Sequence, residues 1–214
     1  MNNDYLVKPK RANGAGVVVI HEWWGVNQQI KGVADRLAGE GYFVLAVDLY
    51  EGEITEKPEE AEEMKNAVKD EFALRRVGEA IEKLTSEGIA PERTAVWGFC
   101  FGGSVAFKSA AADLGAGAYI IYYGSMVTDD KAVLAKIQKP ILGIFGGQDK
   151  AIPQLLVESF QKNLNELGKT NEIYVYPEAD HAFFNEERPK YNAAVSADCW
   201  GKTFAFFKKH LKIS

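Results

Sequence analysis

A chain of 214 residues with 47% hydrophobic and 26% charged side chains carries enough apolar material for one sizeable core, and no Pro/Gly/Ser-rich linker divides it, so a single domain over 1–214 is expected. The net charge of −5, from 25 Lys and Arg against 30 Asp and Glu, argues against a nucleic-acid or membrane-surface partner. The N-terminus lacks signal-peptide order, no run approaches the roughly 20 apolar residues of a membrane span, and two cysteines are too few for a disulfide framework, so a cytoplasmic monomer or weak homo-oligomer is expected.

Short β-branched or aromatic runs alternate with longer helix-period stretches, the pattern of a mostly parallel sheet covered by helices. Seven strands are predicted: a weak one near Tyr5 to Val7, then Val17–Ile20, Tyr42–Val47, Thr94–Trp97, Ala118–Tyr122, Ile141–Phe145 and Glu172–Tyr176. Helices are predicted over Gln28–Ala38, Pro58–Lys69, Glu71–Ser86, Gly102–Ala112, Pro153–Leu167 and Tyr191–His210. Asn27 is placed to cap the first, Gly88 to end the third, and Pro153 to open the fifth. The acids Glu59, Glu60, Glu62 and Glu63 read as a solvated helix face, with a cap or recognition segment as the alternative.

The pentapeptide Gly98-Phe99-Cys100-Phe101-Gly102 stands where a strand hands over to a small-residue helix. A G-x-S-x-G elbow displays its nucleophile on such a sharp turn, and here cysteine holds the serine position. It also lies at a helix N-terminus, where partial positive charge favours a thiolate. A cysteine nucleophile needs a base and a carboxylate to orient it. Of three histidines, only His181 combines a loop after a strand with a place late in the chain; His21 ends the first core strand and His210 lies near the tail. Asp149, reached from Ile141–Phe145 through Gly146-Gly147-Gln148, presents a carboxylate at the same sheet edge. Asp113, Asp129 and Asp130 are less well placed, and Asp180 is too close in sequence to His181 to reach round to its ring. An oxyanion needs two backbone donors: Phe101 by position, and one from His21-Glu22-Trp23-Trp24-Gly25.

Five segments together resemble the dienelactone hydrolase family of the α/β-hydrolase superfamily: His21-Glu22-Trp23-Trp24-Gly25-Val26-Asn27, Val47-Asp48-Leu49-Tyr50, Gly98-Phe99-Cys100-Phe101-Gly102-Gly103, Gly146-Gly147-Gln148-Asp149 and His181-Ala182-Phe183. The resemblance implies an α/β-hydrolase fold, a Cys100, His181, Asp149 triad, and an oxyanion hole from the N–H groups of Phe101 and Trp23. It also implies that Glu22 pairs with the resting thiol and swings away when substrate binds. The substrate class it implies is a small ester or lactone. Asn185 occupies the place where the family's carboxylate-binding arginine is expected, with Arg188 a few residues further on. Trp23, Trp24, Tyr50, Phe183, Phe184 and Asn185 are therefore expected to line a more apolar pocket, suited to a neutral or aromatic ester. With fewer than twenty residues before the strand at Val17, the sequence leaves open whether every edge strand or hairpin of the family fold is present. Cys199 reads as core. No His/Cys/carboxylate grouping has ligand spacing and Gly102-Gly103-Ser104 lacks a phosphate-loop lysine, so no metal or cofactor is expected. A reactive-thiol sensor on the same fold is the alternative, since an accessible thiol reacts without turnover.

Overall fold

In the computed structural model, which describes residues 3–213, strand β2 (Gly16–Ile20) is buried at every position. A strand covered on both faces reads as a continuous apolar run, and Val17, Val18, Val19 and Ile20 supply one. Beside it lie β3 (Phe43–Val47) and β4 (Thr94–Phe99), both parallel to it. The sheet continues through β5 (Ala118–Tyr122), β6 (Ile141–Gly146) and β7 (Asn171–Tyr176), all parallel. At the other edge β1 (Tyr5–Val7) pairs antiparallel with β3, so the spatial order is β1, β3, β2, β4, β5, β6, β7. This β1 is the weak first strand expected near Tyr5 to Val7.

Helices cover both faces. On one, α1 (Gln28–Gly39) meets α7 (Ala193–His210), with the Arg36 guanidinium 4.1 Å above the Trp200 ring. On the other, α3 (Asp70–Ser86) is tied to α4 (Phe101–Ala111) through Asp70 and Lys108 at 2.6 Å, and Phe107 of α4 meets Phe160 of α6 (Gln154–Glu166) edge to face. The caps follow local chemistry. Asn27 accepts from the Ile30 N–H at 3.2 Å, and Gly88, at φ +89°, ends α3 as a left-handed residue.

The helices differ from the sequence reading at several ends and in one added element. The predicted helix Pro58–Lys69 is α2 (Pro58–Ala67), ended where Val68 and Lys69 turn extended before α3. The last helix begins at Ala193 because Asn192 caps it, accepting from the Val195 N–H. A one-turn helix, α5 (Lys131–Leu134), precedes β6, too short to leave a periodic signal. In α2 only Ala61 is buried, so its run of acids is a solvated face.

The chain winds outward from β2 in both directions, which makes the carboxyl ends of β2 and β4 a topological switch point, where crevices in open α/β sheets form. Glu22 follows one of these strands and Cys100 the other.

Candidate active site

The turn after β4 is sharp enough to hold Cys100 at φ +51° and ψ −112°. A non-glycine residue there stores on the order of 1–3 kcal/mol and persists only where its surroundings hold it. They do: the Cys100 N–H donates to the Tyr122 carbonyl at 3.0 Å, and its carbonyl accepts from the Ser104 N–H at 3.0 Å. Two glycines make the bend possible. A Cβ at Gly98 would lie 1.9 Å from the Gly102 carbonyl oxygen, and one at Gly102 would lie 2.3 Å from that of Ile20. The Gly102 N–H in turn donates to the His21 carbonyl at 3.1 Å, fixing α4 against the loop after β2.

The half-buried thiol meets His181. Its Sγ lies 3.0 Å from His181 Nε2, and His181 Nδ1 lies 2.6 Å from Asp149 Oδ2. The other oxygen, Asp149 Oδ1, accepts from the Ala151 N–H at 2.8 Å, which orients the carboxylate. Burial pushes the His181 pKa down, but the hydrogen bonds to Asp149 and Cys100 and their charges outweigh it and raise it to about 10. Asp180 does not compete: it accepts from the His181 backbone N–H and pairs with Lys190 at 2.8 Å. Cys100, His181 and Asp149, expected from the sequence, are thus brought together across separations of 81 and 32 residues.

The loop after β2 is built by its own histidine. His21 Nε2 accepts from the Leu49 N–H at 3.2 Å, which leaves Nδ1 as the donor to the Glu22 carbonyl. His21 is fully buried and burial lowers its pKa, so it serves as a neutral strut between two loops. In the second loop Asp48 accepts from the N–H groups of Tyr50 and Gly52, turning the chain so that the Tyr50 ring stacks on Phe101 at 6.0 Å. Phe101 is the first residue of α4, so its N–H is one that a helix leaves without an internal partner. Trp23 and Trp24 meet edge to face at 4.9 Å, with Lys65 5.8 Å from the first ring and the Arg188 guanidinium 3.7 Å from the second.

Glu22 is only 2% exposed and is not on the thiol. Its Oε1 accepts from the Tyr123 hydroxyl at 3.0 Å and its Oε2 from Asn185 Nδ2 at 2.6 Å. Burial raises its pKa, and these two hydrogen bonds oppose the rise. The thiol contact that the resemblance implies for Glu22 is made by His181 in this structure. Tyr123 escaped the sequence reading. It follows β5 at φ +39°, a strained position for an aromatic residue, beside Gly124. An aromatic residue and a glycine just past a strand's carboxyl end were its only signal.

Five expected pocket residues, Trp23, Trp24, Phe183, Phe184 and Asn185, do not line the apolar cavity. Phe183 and Phe184 are 0% and 4% exposed. Phe184 stacks on Phe99 at 5.5 Å and meets Trp200 at 5.4 Å, while Phe183 packs on Tyr123. Asn185, 0% exposed, belongs to Glu22. Hydrophobic burial takes these rings into the core, whereas Tyr50 lines an apolar cavity. It has a volume of about 450 Å³ and is lined by Leu49, Tyr50, Met64, Ala67, Val68 and Phe72, with Glu51, Glu53 and Lys69 also on its walls. Among the described residues no group of three or more His, Cys, Asp and Glu is arranged to hold a metal ion, and no helix is long and apolar enough to cross a membrane.

A seven-stranded, mostly parallel sheet with a strained elbow at the carboxyl end of a central strand defines an α/β-hydrolase. The comparisons narrow the class. The dienelactone hydrolase family profile matches residues 3–211, and the chain belongs to that family. It is 32% identical to "Putative carboxymethylenebutenolidase" of Escherichia coli (strain K12), covering 96% of this chain and 82% of that protein, and 33% identical to "Protein usf" of Aquifex pyrophilus, covering 97% and 93%. Among solved structures, "Putative Dienelactone Hydrolase" from Klebsiella pneumoniae superposes with a TM-score of 0.87 at 31% identity, covering 96% of this chain and 92% of that one. The chain is thus a hydrolase of the carboxylic ester and lactone class.

Proposed function

We propose that this enzyme opens neutral esters or lactones through a cysteine acyl-enzyme. The observation that carries this reading is the unbroken line from Cys100 Sγ through the His181 ring to Asp149, at 3.0 and 2.6 Å. In the acylation step the proton between Sγ and His181 Nε2 already resides on the ring, sulfur bonds to the substrate carbonyl carbon, and the carbonyl electrons move to oxygen. The N–H groups of Phe101 and Trp23 are the proposed donors to that oxyanion. Collapse breaks the C–O bond, and His181 returns the proton to the leaving oxygen. Water then attacks the thioester, giving its proton to His181, and the acid is released with the thiol restored. Asp149 holds the Nδ1–H tautomer throughout.

A neutral substrate follows from the charges. Asn185 is engaged with Glu22 and is not free to meet a substrate carboxylate, and on the walls of the apolar cavity the two acids Glu51 and Glu53 outnumber the one base, Lys69. The cavity's size suits the apolar part of a small ester. Enol lactones should be turned over faster than activated aryl esters, because an opened enol leaves readily whereas a simple thioester stalls. A reducing cytoplasmic setting suits a working thiol. The test is hydrolysis of both substrate types by the reduced enzyme and by Cys100→Ala, with mass spectrometry for the acyl adduct on Cys100. Turnover of neither type above background rejects the proposal, and rapid labelling of Cys100 without turnover favours a thiol sensor in its place.

A further inference from the structure

Two stretches of chain line the apolar cavity. Leu49 and Tyr50 come from the turn after β3; Met64, Val68 and Phe72 come from α2 and the first turn of α3. Among the described residues no hydrogen bond or ion pair joins these two groups directly, and Asp4 joins them indirectly. Its Oδ1 accepts from the Asp48 N–H at 2.9 Å and from Arg76 Nη2 at 2.5 Å. Asp48 in turn accepts from the Tyr50 and Gly52 N–H groups. Arg76 stands four residues beyond Phe72, hence on the same face of α3, with its side chain 6% exposed and its Nη1 held by Glu79 at 2.7 Å. Sheet register explains how Asp4 arrives there. Tyr5 pairs with Ala46 in the antiparallel ladder, which carries Asp4 to the carboxyl end of β3. The turn also receives the arm closely, since a Cβ at Gly52 would lie 2.7 Å from Asn3 Nδ2. An ion pair so shielded from water is stronger than one on the surface.

We infer, on the reading that this cavity receives the apolar part of the ester, that Asp4 and Arg76 are positioning residues that clamp the Tyr50 turn to α3 and so fix the width of the cavity. Neither residue lines it. Their effect passes through Asp48 to Tyr50, whose ring stacks on Phe101 of the elbow at 6.0 Å, and through α3 to Phe72. An ester that fills the cavity gains contact with both walls, and walls already held at one separation need no ordering when it binds. An acetate, too small to reach across, gains nothing from the clamp. Substrate preference is thereby set in part from β1, at the opposite edge of the sheet from β7, the strand that precedes His181.

Asp4→Ala removes both bonds at once and leaves Cys100, His181 and Asp149 in place. On an aryl ester whose acyl group fills the cavity, KM should rise about fivefold with kcat little changed, while kcat/KM on the matching acetate stays within about twofold of wild type. Arg76→Met should shift the same ratio, and the double variant should be no worse than either single one, because the two residues act through one bond. If Arg76→Met does not fold, Asp4→Asn takes its place: it keeps an acceptor for the Asp48 N–H but loses the ion pair, so its shift should fall between wild type and Asp4→Ala. Equal losses on both esters that follow a lower Tm overturn the inference, as do effects that add in the double variant. An unchanged ratio in Asp4→Ala where Ala67→Trp does change it overturns the clamp alone. An unchanged ratio in both removes the cavity from the substrate path, and the clamp's role with it.

Discussion

The two cysteines carry the same side chain in opposite settings. Cys100 stands half-buried on a strained turn, with an imidazole 3.0 Å from its sulfur and a buried carboxylate behind the ring. Cys199 lies inside α7, fully buried, and its backbone carbonyl accepts from the Tyr122 hydroxyl at 3.1 Å. Burial pushes the Cys199 thiol up to about 12, so it stays protonated and unreactive. The contrast locates the chemistry in the position. A thiol on a regular helix facing the sheet is a small hydrophobe, whereas a thiol on an elbow beside a histidine is a nucleophile.

The sharpest break of that contrast is a pair of alanines. Cys100→Ala should lower kcat/KM on an enol lactone by about 10³-fold or more, as loss of a covalent nucleophile does. Cys199→Ala should keep that activity and lose about 1–2 kcal/mol of stability, read as a lower Tm. Equal activity loss in both would deny the difference. Asp149→Asn comes next: kcat should fall by about 10³-fold with KM little changed, because the wrong His181 tautomer is held. The cavity supplies a smaller effect. Ala67→Trp, on the exposed end of α2, should fill it and lower kcat/KM about tenfold for a bulky ester relative to an acetate. An unchanged ratio would remove the cavity from the substrate path.

The pH dependence of stability gives the smallest signal. The folded-state pKa of His181, about 10, lies above its ordinary 6.5, so the folded protein holds this proton more tightly. Its contribution is complete below about pH 6.5 and is lost as pH rises through 10. The urea midpoint of the wild type should therefore fall further between pH 7 and 10 than that of His181→Ala. Parallel curves would mean that the ring is not held as a cation.

The amino-acid sequence by itself determined where the strands fall along the chain, the elbow and the identity of the three residues in line at the site, while the spatial order of the strands came from the structure. These are local matters: apolar runs of strand length mark the sheet, glycines flank the nucleophile, and each functional residue sits just past a strand's carboxyl end. Tertiary structure alone decided what those residues meet. Glu22 and Asn185 are 163 positions apart, and nothing in either neighbourhood says that they share a hydrogen bond. Phe183 and Phe184 read as pocket wall because they follow His181, yet the core claimed them: Phe184 packs on Phe99, Trp97 and Trp200, and Phe183 on Tyr123 and Tyr176. Tyr123 entered the site through a backbone conformation that no propensity favours. Sheet register brings such partners together, and it is set by the burial of whole strands, so the residues it joins carry no mark of their meeting in the chain.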